Sequence, residues 1–404
     1  MGAQLELQQN EEIKEKIWTR DFILICLANF FIFFGFQMTL PTLPIFVKEL
    51  GGSDQLVGVI VGIFTFSALL LRPYAGHALE TKGRQFIYMI GLGIFVISIG
   101  SFAFIASITF LIIMRIVQGV GWGLSTTATG TIATDIVPAS RRGEGLGYFG
   151  LSGNIALAFG PGLGLALVGK ISFATLFLIC AALGLVALLL SSRVRYKKVE
   201  QIPDKAVTPR FDVFEKSAIQ PSILVLFITF TFGGIATFLP LHAMDHDVAG
   251  IELYFFIYAA FLFISRTFAG KIYDKKGHVY VYLPGTFMIL VAMILLAWLP
   301  STFVLLVAGG LYGLGFGTVQ PALQAWAVEK AANNRKGMAN ATFFSFFDLG
   351  IGFGALTFGQ IAYLFNYSTI YLTGAVSIFI SMLVYGLMVI KTKKEHTIRQ
   401  TKQS

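Results

Sequence analysis

The sequence predicts an all-α integral membrane protein, with twelve transmembrane helices in two six-helix, pseudo-symmetric bundles. Three observations predict it. Of 404 residues, 56% are hydrophobic and 13% charged, against roughly 25% charged in an ordinary soluble domain. Twelve apolar stretches are each long enough to cross a bilayer. One fixed offset of 194 residues lays the second half of the chain over the first.

A soluble fold of this length could not cover its surface with so few charges. That excludes a soluble enzyme, a nucleic-acid-binding protein and a disordered chain. A net charge of +9 would suggest nucleic acid in a soluble chain; here the loops explain it. Cys26 and Cys180 lie in apolar runs, fit no metal spacing and read as packing residues.

A bilayer core takes about 20 apolar residues in helix. The opening segment is polar and mixed in charge (Glu11, Glu12, Lys14, Glu15, Lys16), so the first span, near 22–46, is expected to act as its own signal anchor. The second, 55–76, runs into a loop bearing Lys82 and Arg84. The third is 86–106, and the fourth, 109–133, carries Arg115. The fifth, 146–168, is glycine-rich around Pro161, and the sixth is 172–192. A polar stretch, 193–219, precedes spans near 221–241, 250–270, 280–299, 302–328, 338–362 and 369–390. The expected domains are an N-terminal bundle over 1–192, a linker over 193–219 and a C-terminal bundle over 220–404.

An even number of spans puts both termini on one side. With the termini inside, 25 of the 30 Lys and Arg fall in cytoplasmic segments and only Lys48 and Lys170 outside. The other three, Arg72, Arg115 and Arg266, lie within spans. This bias sets the orientation, a multi-pass cell-membrane protein with cytoplasmic termini, linker and tail.

The repeat sets Arg72 over Arg266, Gly76 over Gly270, Glu80 over Asp274 and Gly83 over Gly277. It sets Gly119, Gly121 and Gly123 over Gly313, Gly315 and Gly317, Asp135 over Glu329, and Asn154 over Asp348. One gapless offset over about 100 residues marks an internal duplication. Parallel six-span repeats describe a transporter architecture with its substrate site near the midplane between the halves.

The recurring pieces carry the candidate chemistry. Gly76-x-x-x-Glu80-x-x-Gly83-Arg84 places small residues and an acid–base pair on a short cytoplasmic loop. Glu80, Arg84 and Asp135 are expected to form a charge latch, the plainer alternative being ordinary loop charge. Arg266, Gly270, Asp274 and Gly277 are its second-half copy. Arg115, followed by Gln118 and Gly119, is costly in hydrocarbon unless paired or facing water; the alternative is snorkelling. Its second-half counterpart is Gly309, so the charge stands outside the repeat. Gly160, Pro161 and Gly164 give the fifth span a flat face and a loosened turn. Asp348, the deepest acid, is expected to hold a proton, the alternative being a structural hydrogen bond. Polar pocket candidates are Asn29, Gln37, Gln118, Asn154, Gln320 and Gln324, with a hydroxyl-rich stretch from Ser125 to Thr134.

Some patterns are set aside. Gly164-x-x-x-x-Gly169-Lys170 mimics a phosphate loop, but Ile171 stands where Ser or Thr must bind magnesium. Gly313-x-Gly315-x-Gly317 has no strand before it. His242, Asp245, His246 and Asp247 are read as an outer loop without a metal. No hydrolytic triad is apparent, and no cofactor is expected.

With these residues in place, the chain resembles the major facilitator superfamily over nearly its whole length. Gly76 to Arg84 is similar to the family's cytoplasmic signature, with Glu80 where Asp is usual. Arg115, Gln118 and Gly119 resemble the fourth-span signature associated with proton transfer. Gly160-Pro161-x-x-Gly164 resembles the fifth-span antiporter signature, with Leu165 in place of its last glycine. Pro41-x-x-Pro44 is similar to that of twelve-span drug/proton antiporters, and Leu71-Arg72-Pro73-x-Ala75-Gly76 to exporters of metal-chelating opines. The resemblance implies alternating access by two rocking bundles and proton-driven export of a small molecule. The expectation is thus a monomeric, proton-coupled efflux transporter, not an enzyme, with Arg115 and Asp348 carrying coupling. The alternatives are a proton symporter importing a sugar, organic acid or amino-acid-like solute, and a non-transporting membrane receptor or enzyme.

Overall fold

The computed structural model describes residues 16–138, 141–196, 214–329, 331 and 336–401, without the side chains of 80, 142, 143, 267, 271, 274, 336, 337 and 391–401. Glu80 and Asp274, expected in the two latches, therefore lie outside the described side chains.

The described chain is helical, its only β-type pairing an isolated bridge between Val168 and Ile171. The first half holds α1 (Arg20–Glu49), α2 (Asp54–Thr81), α3 (Arg84–Ser101), α4 (Ile108–Ile136), α5 (Arg142–Leu167) and α6 (Phe173–Ser192). The second holds α7 (Ile219–Asp245), α8 (Ile251–Lys276), α9 (Val279–Trp298), α10 (Thr302–Glu329), α11 (Lys336–Leu364) and α12 (Tyr367–Thr401). Among the described residues, these twelve are long and apolar enough to cross a membrane.

Local sequence sets the boundaries. Thr19, Ser53 and Ser172 cap α1, α2 and α6, their hydroxyls accepting from Phe22, Leu56 and Thr175 N–H, which satisfies one orphan donor of each first turn. Between α2 and α3 the chain reverses at Gly83 with φ +95°, and after α8 at Gly277 with φ +80°. These left-handed positions favour glycine, which is why the repeat keeps it at both.

The repeat is also visible in the packing. A methyl placed on Gly119 would press on Phe64 O and Ala68 N; one on Gly313 would press on Tyr258 O and Leu262 N. Gly121 sits against Gly91 O and Phe95 N, and Gly315 against Gly285 O and Ile289 N. Each pair of neighbours differs by the same 194 residues. The α2–α4 and α3–α4 contacts thus recur as α8–α10 and α9–α10. The fold is two pseudo-symmetric bundles, as the offset predicts.

The halves meet along two seams, α2 with α11 and α5 with α8, with α1 beside α7 on the axis. Alternating helices sort the connections into two ends. One, here the basic end, carries the α2–α3, α4–α5, α6–α7, α8–α9 and α10–α11 connections. The other is the far end.

At the far end the seams are closed. Gly58 lies against Ala355 and Gly359, Gly62 against Leu356, and Gly162 against the Phe256 ring. Phe66 meets Phe353 with ring centroids 5.2 Å apart, and Phe159 meets Phe256 at 6.3 Å. At the basic end, Gly76, Gly147, Gly150 and Gly270 have open space where a β-carbon would project. Gly76 and Gly270 thus make no close helix contact at that position in this conformation.

His242 also differs from expectation. It lies not in a loop but in the last turn of α7, fully buried. Its Nε2 is 2.8 Å from Leu296 O and its ring packs 4.9 Å from that of Tyr371. The helix continues past the apolar run because the histidine has a carbonyl partner and aromatic cover.

Candidate functional site

Three arginines lie within the spans, and each is held differently. Arg72 on α2 pairs with Asp348 on α11, Nη2 to Oδ2 2.6 Å, side chains 28% and 23% exposed. This ion pair joins the two halves on the basic side of the far-end seal. Asp348 is therefore not a lone carboxylate. Arg72, left without a role by the sequence reading, is its partner.

Arg115 is only 3% exposed, so it does not snorkel. Its Nε donates to Ile60 O on α2 at 3.0 Å and its Nη1 to Gln118 Oε1 at 2.6 Å. The guanidinium sits 4.3 Å from the Phe64 ring centroid, a cation–π contact. These contacts fix α4 to α2 without an acidic partner. The counterpart Gly309 lies against Tyr254 O, the carbonyl equivalent to Ile60 O. The same backbone site thus takes a cation in one half and close packing in the other. Arg115 and Asp348 are not brought together. Their contacts on α2, at Ile60 and Arg72, are about 18 Å apart at 1.5 Å per residue.

Arg266 lies within α8 and contacts Gln320. Its Nη2 donates to Gln320 Oε1 at 3.4 Å, and its Nε is buried with no hydrogen-bond partner. From Gln320 an amide file continues to Gln324 and Asn340, each step 3.2 Å. Gln320 and Gln324, predicted separately, are thus joined.

Arg84 and Asp135 pair as expected, Nε to Oδ2 2.8 Å, and Arg84 Nη1 also reaches Leu79 O at 3.2 Å. They border a basic-end cavity of about 340 Å³ in the first half, lined also by Asp21, Arg195 and Tyr196. Burial raises the pKa of the Tyr196 hydroxyl above its ordinary value, keeping it a neutral donor to Ser191 O at 2.6 Å. In the second half, Tyr273 donates to Glu329 at 2.8 Å and His278 stacks on Trp326 at 4.4 Å.

The remaining candidates divide. Asn29 donates to Ser152 Oγ at 2.9 Å, tying α1 to α5. Gln37 lines a gap of about 10 Å³ with Pro41, Pro161, Phe232 and Tyr258, and Gln37 Oε1 and the Tyr258 hydroxyl are buried without partners. Gln118 serves Arg115. Asn154 makes no side-chain hydrogen bond to a described residue. Gly160 lies against Phe34 O and Gly164 against Met38 O, bringing α5 close to α1. The hydroxyls between Ser125 and Thr134 mostly satisfy their own helix. Thr126, Thr127, Thr129, Thr131 and Thr134 bond the carbonyl four residues back in α4, the usual local solution for helical threonine.

A latch missed by the sequence reading lies at the far end. Tyr367 on α12 donates to Asp54 Oδ1 at 2.6 Å, and Lys48 pairs with the same oxygen at 3.0 Å. This joins the halves between residues 313 positions apart.

The sequence profile described as Major Facilitator Superfamily matches residues 25–355 and again 222–403. The chain is 24% identical over 378 residues to an uncharacterized MFS-type transporter of Methanocaldococcus jannaschii, covering 91% of this chain and 97% of that protein. It is 24% identical over 391 residues to the quinolone resistance protein NorA of Staphylococcus aureus, covering 93% and 97%. The fold resembles the crystal structure of the nucleoside transporter NupG with TM-score 0.69 and 15% identity, covering 91% of this chain and 99% of that one. Duplicated bundles, paired seams and the profile match lead to one conclusion: the chain belongs to the Major Facilitator Superfamily.

Proposed function

We propose that this chain is a cell-membrane secondary transporter that exports small organic compounds by proton antiport. The basic end faces the cytoplasm, a reading the Lys and Arg bias supports, and the closed far-end seams support an inward-open state. One chain holds both halves, so a monomer suffices, and no cofactor is needed.

The observation that carries the reading is the Arg72–Asp348 pair across the α2–α11 seam. An ionised Asp348 ties the halves together; a proton on Asp348 removes the net attraction and frees Arg72. Proton occupancy is thereby linked to the relative position of the bundles, the requirement for coupling. Arg115 supports it by fixing α2 to α4 at Ile60, so that force at Arg72 moves a rigid unit. The Arg84–Asp135 pair, with Glu80, forms the cytoplasmic gate, with Gly270, Asp274 and Gly277 as the second-half copy. The open Gly76 and Gly270 allow the inner helix ends to approach when the outer end opens. The similarity to NorA, a resistance protein, supports export over import.

The test is reconstitution in liposomes with an imposed pH gradient and an internal pH dye. Lipophilic cations, antibiotics, sugars and chelating metabolites are added singly. Proton flux opposite to one compound is the expected result. Co-directional flux would make the chain a symporter and refute export.

A further inference from the structure

The two seams are related by the 194-residue offset, and they differ in one charge. Arg72 on α2 corresponds to Arg266 on α8, and Asp348 on α11 to Asn154 on α5. At the α2–α11 seam the arginine has its acid. At the α5–α8 seam the equivalent place is held by an amide, and Arg266 makes no ion pair with a described residue. Its hydrogen bond to Gln320 is long, 3.4 Å, and its buried Nε has no partner.

A cation within a span is costly unless it is neutralised or well hydrogen-bonded. Arg72 meets that need with a carboxylate, and Arg115 with a carbonyl, an amide and a ring. Arg72, like Arg266, leaves its Nε without a partner, but its charge is met by Asp348; Arg266 has only the long bond to Gln320 among the described residues. Its place is also reachable. Both Arg266 and Asn154 lie on the basic-end side of the Gly162–Phe256 seal, roughly 12–15 Å along their helices. Both residues are partly exposed. Between the seal and Arg266, Gln37 Oε1 and the Tyr258 hydroxyl are further buried polar atoms without partners.

We infer that the transported compound carries a carboxylate, and that this group docks on Arg266 opposite Asn154, where Asp348 docks on Arg72. The solute supplies the acid that the second seam lacks. A bound carboxylate then bridges α5 and α8 as the fixed one bridges α2 and α11, and both seams are neutral when the cargo is aboard. A guanidinium accepts a carboxylate through two parallel hydrogen bonds, and the unpartnered Nε and the weakly engaged Nη2 are the donors to be used. The Gln320–Gln324–Asn340 file offers further amide contacts toward the basic end.

The inference rests on the reading of the chain as a transporter of small organic compounds, and its test is binding rather than transport. The purified protein is placed in phosphatidylcholine nanodiscs, which hold no anionic headgroup. Binding of 2-naphthoate and of its methyl ester, which has no charge, is measured by equilibrium dialysis. The expected result is binding of the acid at least about tenfold tighter than of the ester, as the loss of a charge-assisted contact implies. Arg266→Gln should abolish that preference. Asn154→Asp should abolish it too, because the seam then contains its own acid, and this variant should resist unfolding better than the wild type. The double variant Arg72→Gln/Asp348→Asn should keep the preference. No preference for the acid in the wild type, or a preference that survives both Arg266→Gln and Asn154→Asp, overturns the inference. Preferential binding without proton antiport would leave the site standing and remove the coupling reading; antiport of a compound without an acid would do the reverse.

Discussion

A methyl group added at Gly121 and one added at Gly76 should have opposite effects on stability. At Gly121 the new carbon would lie 2.7 Å from Phe95 N, 2.9 Å from Gly91 O and 3.0 Å from Ile94 Cγ2. Two of these are backbone atoms of α3, which can yield only if the helix moves. Such overpacking costs about 1–3 kcal/mol, offset by the roughly 0.5–1 kcal/mol that alanine gains over glycine within a helix. Gly121→Ala should therefore destabilise by up to about 2.5 kcal/mol. At Gly76 nothing lies within 4 Å, so only the helix preference remains and Gly76→Ala should stabilise by about 0.5–1 kcal/mol. Reversible unfolding in mixed detergent and SDS micelles measures both directly. Equal effects at the two sites, or a stabilising Gly121→Ala, would refute the α3–α4 packing and with it the geometric form of the repeat.

Other perturbations address the charges. Exchanging the pair as Arg72→Asp/Asp348→Arg should recover much of the stability that either single change loses, with a coupling energy of about 1–3 kcal/mol in the same unfolding assay; simple additivity would mean the residues do not interact. Asp135→Asn should cost about 1–2 kcal/mol because it strands the half-buried Arg84, and Arg84→Gln/Asp135→Asn should cost less than the single change. Tyr367→Phe removes a hydrogen bond to a charged acceptor, a loss of about 1.5–3 kcal/mol. It should shift the population toward an open far end about tenfold or more, read as a longer distance between spin labels at Phe104→Cys and Phe303→Cys. An unchanged distance distribution would remove the far-end latch from the account.

Much of the fold was legible in the sequence because the membrane imposes it. Apolar length gives the spans, loop charge their expected direction, and the 194-residue offset the duplication, down to the carbonyls facing Gly119 and Gly313. The site was legible only in parts. Arg115 and Asp348 stand out because charge within a span is rare. The partner of Asp348 did not, because it lies 276 positions away and the pairing depends on which faces of α2 and α11 meet. The fixed offset held a usable signal: two arginines in equivalent spans, and an acid at 348 where the first half has an amide at 154. The Asp54–Tyr367 latch was hidden for the same reason, since both residues sit at span ends where polar groups are ordinary. The threonines of α4 find their nearest acceptor in the helix's own backbone, a partner that span composition does not reveal.

In the proposed mechanism, a proton on Asp348 releases the tie between the halves and so drives transport. Asp348→Asn carries the neutral side chain permanently, and the direct measurement compares two activities of this variant in proteoliposomes. One is uphill movement of the identified compound driven by a pH gradient; the other is exchange of labelled for unlabelled compound at equal pH. Uphill transport should be lost while exchange persists. Uphill transport at the wild-type rate would contradict it.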